Sequence, residues 1–195
     1  MDFEGIKDFV ITKLRKELSS KLYYHSVEHT LDVMDAVGRL ADLENVNGHD
    51  KLLLKTGALF HDLGFCETYD GHEEASIRLA HDNLPRFGYG EADINVISGL
   101  IKCTEIPQNP KTHLEEIMAD ADLDYLGRDD IFLTGQKLQL EWKLRGKIST
   151  LREWHEAQLK FIRDHHYFTS TAKKLREAGK QANIVQLELL LCVKK

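Results

Sequence analysis

The chain has 195 residues, 42% of them hydrophobic and 30% charged, with a formal net charge of −6. Such values exclude a disordered or fibrous chain, and the acidic balance argues against a broad nucleic-acid-binding face while leaving room for a local basic pocket. The only prolines, at 85, 107 and 110, leave long uninterrupted segments, which favours helices over a turn-rich sheet.

The opening MDFEGIKDFV is acidic, with neither a basic start nor an apolar core, and no apolar run approaches the roughly 18 residues of a membrane span. Cys66, Cys103 and Cys192 are odd in number and widely spaced, so neither a disulfide framework nor a thiolate zinc site is expected. The expectation is a cytoplasmic protein.

Taken in order, residues near 3–19 and 27–44 carry a helical apolar period, and Ser26 is placed to cap the second. KLLLKTGALFHDLG is apolar nearly all round, the mark of a helix at the centre of a bundle, with Gly64 as its expected stop. Further helices are expected from about Glu73 to Leu84, before Pro85, and from about Glu91 to Lys102. The loop CTEIPQNPK precedes a helix whose start carries a Thr112–Glu115 capping box, and Thr150 with Glu153 repeats that signal in a helical last third. With no convincing period of two, the fold class is all-α, a compact multi-helix bundle. One domain over 1–195 is expected, with a motif-bearing part at about 20–130 and a helical extension at about 131–195.

The central helix ends on His61 and Asp62, polar groups in a segment that otherwise wants to be dry. Burial without a partner costs roughly 2–7 kcal/mol per neutral group and more for a charge. With ten histidines and sixteen aspartates, chance gives about one His-Asp pair and the chain has three. His49-Asp50 precedes a helix, where Asp50 reads as an N-cap, and His81-Asp82 shares a polar stripe with Glu74 and Arg78, so only His61-Asp62 ends an apolar helix. Upstream, YYHSVEHTLDV puts His29 in the first turn of its helix, with His25 just outside it. Downstream, IMADADLDYLG offers carboxylates beside the Leu114, Met118, Ala121 and Tyr125 stripe; the period rejects Asp120 and leaves Asp122 and Asp124. With Asp122, two imidazoles and two carboxylates from three helices form a set suited to Fe, Mn, Ni, Zn or, less tightly, Mg.

The order His29, His61-Asp62, Asp122, together with YHSVEHTLDV, GHEEAS, KCTEIPQNP and DADLDYLG, resembles the HD-domain superfamily of metal-dependent phosphohydrolases, small bacterial HD proteins above all, over roughly residues 20 to 130. The first segment is similar to the YHNxxHxxDV stretch of small HD hydrolases and cyclic-nucleotide phosphodiesterases, with Ser26 in place of the Asn. The resemblance implies His29, His61, Asp62 and Asp122 as the ligands of a divalent metal, favours Asp122 over Asp124, and gives His25 the role of general acid while Asp62 also orients the attacking hydroxide. The Glu-Asp pair of guanosine-tetraphosphate hydrolases is missing, since LGFCE follows, and only His72 and His113 stand where two-metal enzymes carry further histidines; one tightly held metal is expected.

His72 and Glu73 either begin a helix or stand beside the ligands; with Lys102 and Thr104, at a helix end before a loop, they form the candidate substrate-binding set. His165-His166 reads as packing. The expected function is hydrolysis of a phosphate ester, mono- or diester, with a nucleotide as the first candidate partner. The competing readings are a catalytically silent metal-binding regulatory module and a helical interaction protein with satisfied core histidines.

Overall fold

The computed structural model describes residues 1–192, among which there are nine α-helices, three short 3-10 turns and no strand. The helices are α1 (Phe3–Glu17), α2 (Val27–Leu43), α3 (Gly48–Phe60), α4 (His72–Asn83), α5 (Glu91–Lys102), α6 (His113–Asp122), α7 (Ile131–Leu144), α8 (Leu151–Asp164) and α9 (Ser170–Cys192). No helix among the described residues is long and apolar enough to cross a membrane.

α3 lies at the centre, packed against α1, α2, α5 and α6, with Leu53, Leu54, Ala58, Leu59 and Phe60 all buried. Two apolar clusters meet along it, one including Val33, Val37 and Leu40 from α2 with Ile117 and Met118 from α6, the other including Ile6 and Val10 from α1 with Ile97 and Ile101 from α5. Each such side chain contributes about 1.5–3 kcal/mol on burial.

Helix boundaries depart from the sequence reading at three points. α3 is capped by Asn47, whose side chain accepts from the Asp50 N–H at 3.0 Å, so Asp50 sits inside the first turn instead of capping it. α3 also ends at Phe60 and not at Gly64, because His61 is its cap residue and a 3-10 turn, Leu63–Cys66, follows Asp62. Gly64 serves close approach: a Cβ there would lie 2.0 Å from the His72 carbonyl oxygen at the start of α4. At α6 the Thr112 hydroxyl accepts from the Glu115 N–H, but the Glu115 carboxylate takes the Lys111 N–H at 2.6 Å, so the box is only half formed. The Thr150–Glu153 box of α8 is complete.

The three C-terminal helices attach through a third cluster that joins Ile131, Leu159, Ile162 and Leu187 to Tyr24 and to Leu123, Tyr125 and Leu126 after α6. Two buried aspartates fix the attachment. Asp120 accepts from the Phe168 and Thr169 N–H groups, at 2.7 and 2.8 Å, and from the Thr169 hydroxyl at 2.7 Å, which caps the entry to α9. Asp124 takes a two-pronged bond from Arg176 of α9, at 2.7 and 2.9 Å, and one from Arg39 of α2 at 3.0 Å.

Candidate metal centre

Local structure sets each donor. The Ser26 hydroxyl accepts from the His29 N–H and starts α2 there, so His29 is fixed in the first turn. The end of α3 and the tight turn after it leave His61 and Asp62 buried together against α4, where Ser76 donates to the His61 carbonyl at 2.8 Å. Asp122 is the last residue of α6.

These four side chains converge. The His29 and His61 Nε2 atoms are 3.3 Å apart; Asp62 Oδ2 lies 3.4 and 3.2 Å from them, and Asp122 Oδ1 lies 3.4 and 3.5 Å from them. His29, His61 and Asp122 each offer a ligand atom within 4.8 Å of the others. His61 Nδ1 is 2.8 Å from the Ala58 carbonyl and donates its hydrogen there, which leaves Nε2 to face the cluster. Asp62 Oδ2 is buried and accepts no hydrogen bond from any of the described residues. An orphaned carboxylate oxygen beside two inward-facing imidazole nitrogens fits a divalent cation, and a two-nitrogen, two-oxygen set fits Fe, Mn, Ni, Zn or Mg.

The electrostatics agree. Burial alone would lower the His61 pKa, yet Asp62 and Asp122 hold it well above the ordinary imidazole value. Burial would raise both carboxylates, yet His61 holds Asp62 well below its usual range, and hydrogen bonding from His29 and His61 brings Asp122 down to about 2. Negative oxygens that retain a proton on a buried imidazole equally favour a metal cation in its place.

The other carboxylates of the IMADADLDYLG segment are accounted for by structure. Asp120 faces the start of α9 and Asp124 is held by arginines, so only Asp122 faces the histidines, and Asp124 lies in a 3-10 turn after α6 instead of continuing its stripe.

The cluster opens into a cavity of about 340 Å³ that His25, His72, Glu73 and Thr104 also line. His72 Nε2 is 3.5 Å from Asp62 Oδ1 and 3.4 Å from Glu73 Oε1. Thr104 donates its hydroxyl to the Ile101 carbonyl at 2.8 Å. Lys102 is not brought to this cavity: it is exposed between Glu74 and Glu105, where opposite charges hold it, and it borders a different depression. Of the decoy histidines, His81 and Asp82 are exposed, and so is His113.

The sequence reading missed the partner of His25. Glu141 of α7 is fully buried; one of its oxygens accepts the Tyr24 and His25 backbone N–H groups and the other lies 2.7 Å from His25 Nδ1. Helical period gave no signal for it, since Glu141 stands about 120° around α7 from the buried Gly135, and nothing local names its partner 116 residues away. The aromatic wall of the cavity, Trp142, Trp154 and Phe161, was missed for the same reason.

Comparison with known proteins matches this arrangement. The HD domain family matches residues 26–124, just over half of the chain. An uncharacterized protein of Clostridium beijerinckii is 31% identical over 84 residues, 42% of this chain; the match spans about half, 53%, of that relative's length. Two crystal structures share the fold: a predicted HD superfamily hydrolase from an uncultured Thermotogales bacterium, at TM-score 0.64 and 20% identity over 94% of this chain and 90% of that one, and a Lactobacillus plantarum protein, at TM-score 0.67 and 18% identity over 97% and 96%. All four clustered residues fall inside the family match, in the order the sequence resemblance required, and the chain belongs to the HD domain family.

Proposed function

We propose that the protein is a metal-dependent phosphohydrolase that cleaves a phosphate ester, with nucleotides as the first substrate class. The observation that carries this reading is the convergence of His29, His61, Asp62 and Asp122, three of which, all but the buried His61, line a cavity that also exposes His25. These four residues would hold the ion. A bound divalent cation supplies Lewis acidity, lowering the pKa of water and offsetting phosphoryl charge.

The chain's own groups supply the rest. His25 has its Nδ1 fixed by Glu141, which leaves Nε2 as the atom that delivers a proton to the departing oxygen. Phe65 packs against the His25 ring, with centroids 4.2 Å apart, and stacks on the His72 ring at 3.8 Å, so both imidazoles are fixed before substrate arrives. His72 and Glu73 border the cluster beside Asp62 and would orient water or a phosphoryl oxygen there.

The test combines metal analysis of the purified protein with a panel of nucleoside mono-, di- and triphosphates, cyclic nucleotides and simple monoesters, assayed with Mn, Fe, Ni and Mg. Turnover that disappears in His61→Ala supports the reading. Stoichiometric metal with no turnover above that control replaces it with a regulatory metal-binding module.

A further inference from the structure

α7 is apolar on two opposite sides. Ile131, Leu138 and Trp142 face inward, to the third apolar cluster and the cavity. At about 100° per residue, Leu133, Leu140 and Leu144 stand on the reverse side, where all three are exposed. A surface helix ordinarily turns polar and charged groups outward, and apolar groups on both sides are the mark of a helix covered on both sides.

The outward leucines belong to a larger face. Two depressions of about 640 and 440 Å³ run along it and share Phe132 and Leu190. Tyr23, Leu133, Leu140, Leu151, Leu189 and Leu190 border them, each between 38% and 66% exposed. Side chains of this size and exposure leave on the order of 500 Å² of contiguous apolar surface, the upper range of what a monomer keeps open. One side of a stable interface covers about 800 Å², roughly two thirds of it apolar in a homodimer. This face therefore supplies the apolar area that pairing needs.

Charge and shape select the occupant. The lining of the two depressions carries a single lysine, Lys137, and no carboxylate among the described residues, in a chain of net charge −6. Two copies can meet here without setting acids against one another. One lysine is too little to draw the face to an anionic membrane surface. Protruding leucines and the depressions that can receive them lie on the same face, which is what a twofold contact requires, since each surface must complement itself.

We propose that this face of α7, α8 and α9 is a homodimer interface, two copies pairing about a twofold axis with the protruding leucines of each seated in the depressions of the other. The pairing does not depend on the phosphohydrolase reading. It bears on the same cavity, because Trp154 lines both a depression and the cavity, and Tyr23 lies two residues before His25. A partner copy therefore backs the cavity wall from outside.

Sedimentation and light scattering of the full-length protein across a dilution series test the interface. A species of twice the 22.4 kDa chain mass is expected. Leu133→Lys and Leu189→Lys, made separately, should each weaken association by about a hundredfold or more, since a buried lysine enters a twofold interface twice. Both positions are exposed in the single chain, so helical content should stay that of the parent. Leu43→Lys, at an exposed leucine that borders neither depression, should pair as the parent does. Hydrogen exchange of the parent at high and low concentration reads the same contact without substitution, with α7 and the end of α9 slowed in the dimer. A single chain at every concentration overturns the proposal, as does a dimer that both lysine variants leave intact or one whose slowed exchange lies in other helices. A single chain that floats with vesicles of phosphatidylcholine and phosphatidylglycerol assigns the face to a membrane surface and also overturns it. Metal content and turnover on the same samples report on the metal centre separately, so pairing without turnover leaves the interface standing.

Discussion

The segment from α2 to α6 and the helices α7 to α9 contribute to one cavity in different ways. The first segment, with His25 just ahead of it, contributes groups whose identity is fixed by chemistry: two imidazoles, two carboxylates and the His25 ring, with short local structure presenting each. The second contributes one carboxylate, Glu141, beside His25 and a wall that is mostly aromatic and aliphatic, with Lys147 and Gln158 in it. Reactive groups are therefore tied to motif and spacing, whereas the shape around them is delegated to helices that a motif does not cover. The difference matters because a ligand set constrains residue type strictly, while a wall constrains mainly volume and polarity.

The largest effects should fall on the first region. His61→Ala and Asp62→Ala are expected to abolish stoichiometric metal and Asp122→Asn to reduce metal or activity at least tenfold, while His81→Ala and Asp82→Ala keep the metal of the parent. Equal metal content in all five proteins would erase the contrast between the buried pair and its exposed counterpart. His25→Ala comes next: metal retained, turnover reduced by about 10²–10⁴-fold, and a smaller loss on a nitrophenyl ester, whose leaving group needs no proton. Metal loss in that variant would move His25 from proton donor to ligand.

Glu141 tests whether the second region reaches into the chemistry. Glu141→Gln keeps an oxygen for the Tyr24 and His25 N–H groups but loses the charge beside His25 Nδ1, so turnover should fall by about 10–100-fold with metal content intact. Turnover equal to the parent's would reduce Glu141 to an anchor between α7 and the start of α2. Asp120 gives the opposite case within α6: Asp120→Ala leaves the Phe168 and Thr169 N–H groups unpaired and should cost about 1–3 kcal/mol of stability in denaturant titration while metal content stays unchanged.

The smallest effect is a pH dependence confined to the C-terminal helices. Burial, with Lys180 nearby, lowers His165 from the ordinary imidazole value to about 4, and neither of its ring nitrogens has a partner among the described residues. Between pH 4 and about 6.5 the unfolded chain binds the extra proton and the folded chain does not, so stability rises with pH across that window and is lost on acidification. His165→Phe should flatten the rise of unfolding free energy with pH there, removing of the order of 2 kcal/mol or less across the window. An unchanged slope would show that His165 protonates equally in both states.

Several of these contrasts were legible before any coordinates. Helix class followed from apolar period and scarce prolines, and His61-Asp62 stood out from two similar pairs because only it ended an apolar helix. Those signals are local: a period of 3.6 and a capping side chain act within a few residues. The limits were equally physical. Gly64 looked like a helix stop, and its close contact with His72 depends on how α4 folds back over the turn.

By itself the sequence determined the all-α class, the order of the helices and the four groups that gather at the candidate metal centre, because each is encoded in residue type and short spacing. Only the tertiary structure showed what Asp120 and Asp124 bind instead of the histidines, moved Lys102 away from the cavity, gave His25 its Glu141 partner and set Trp142 and Trp154 in the wall. Which way a carboxylate faces, and what it meets 50 or more residues away, depends on how α6 to α9 pack, and packing energy is spread over apolar contacts that carry no residue-specific signature.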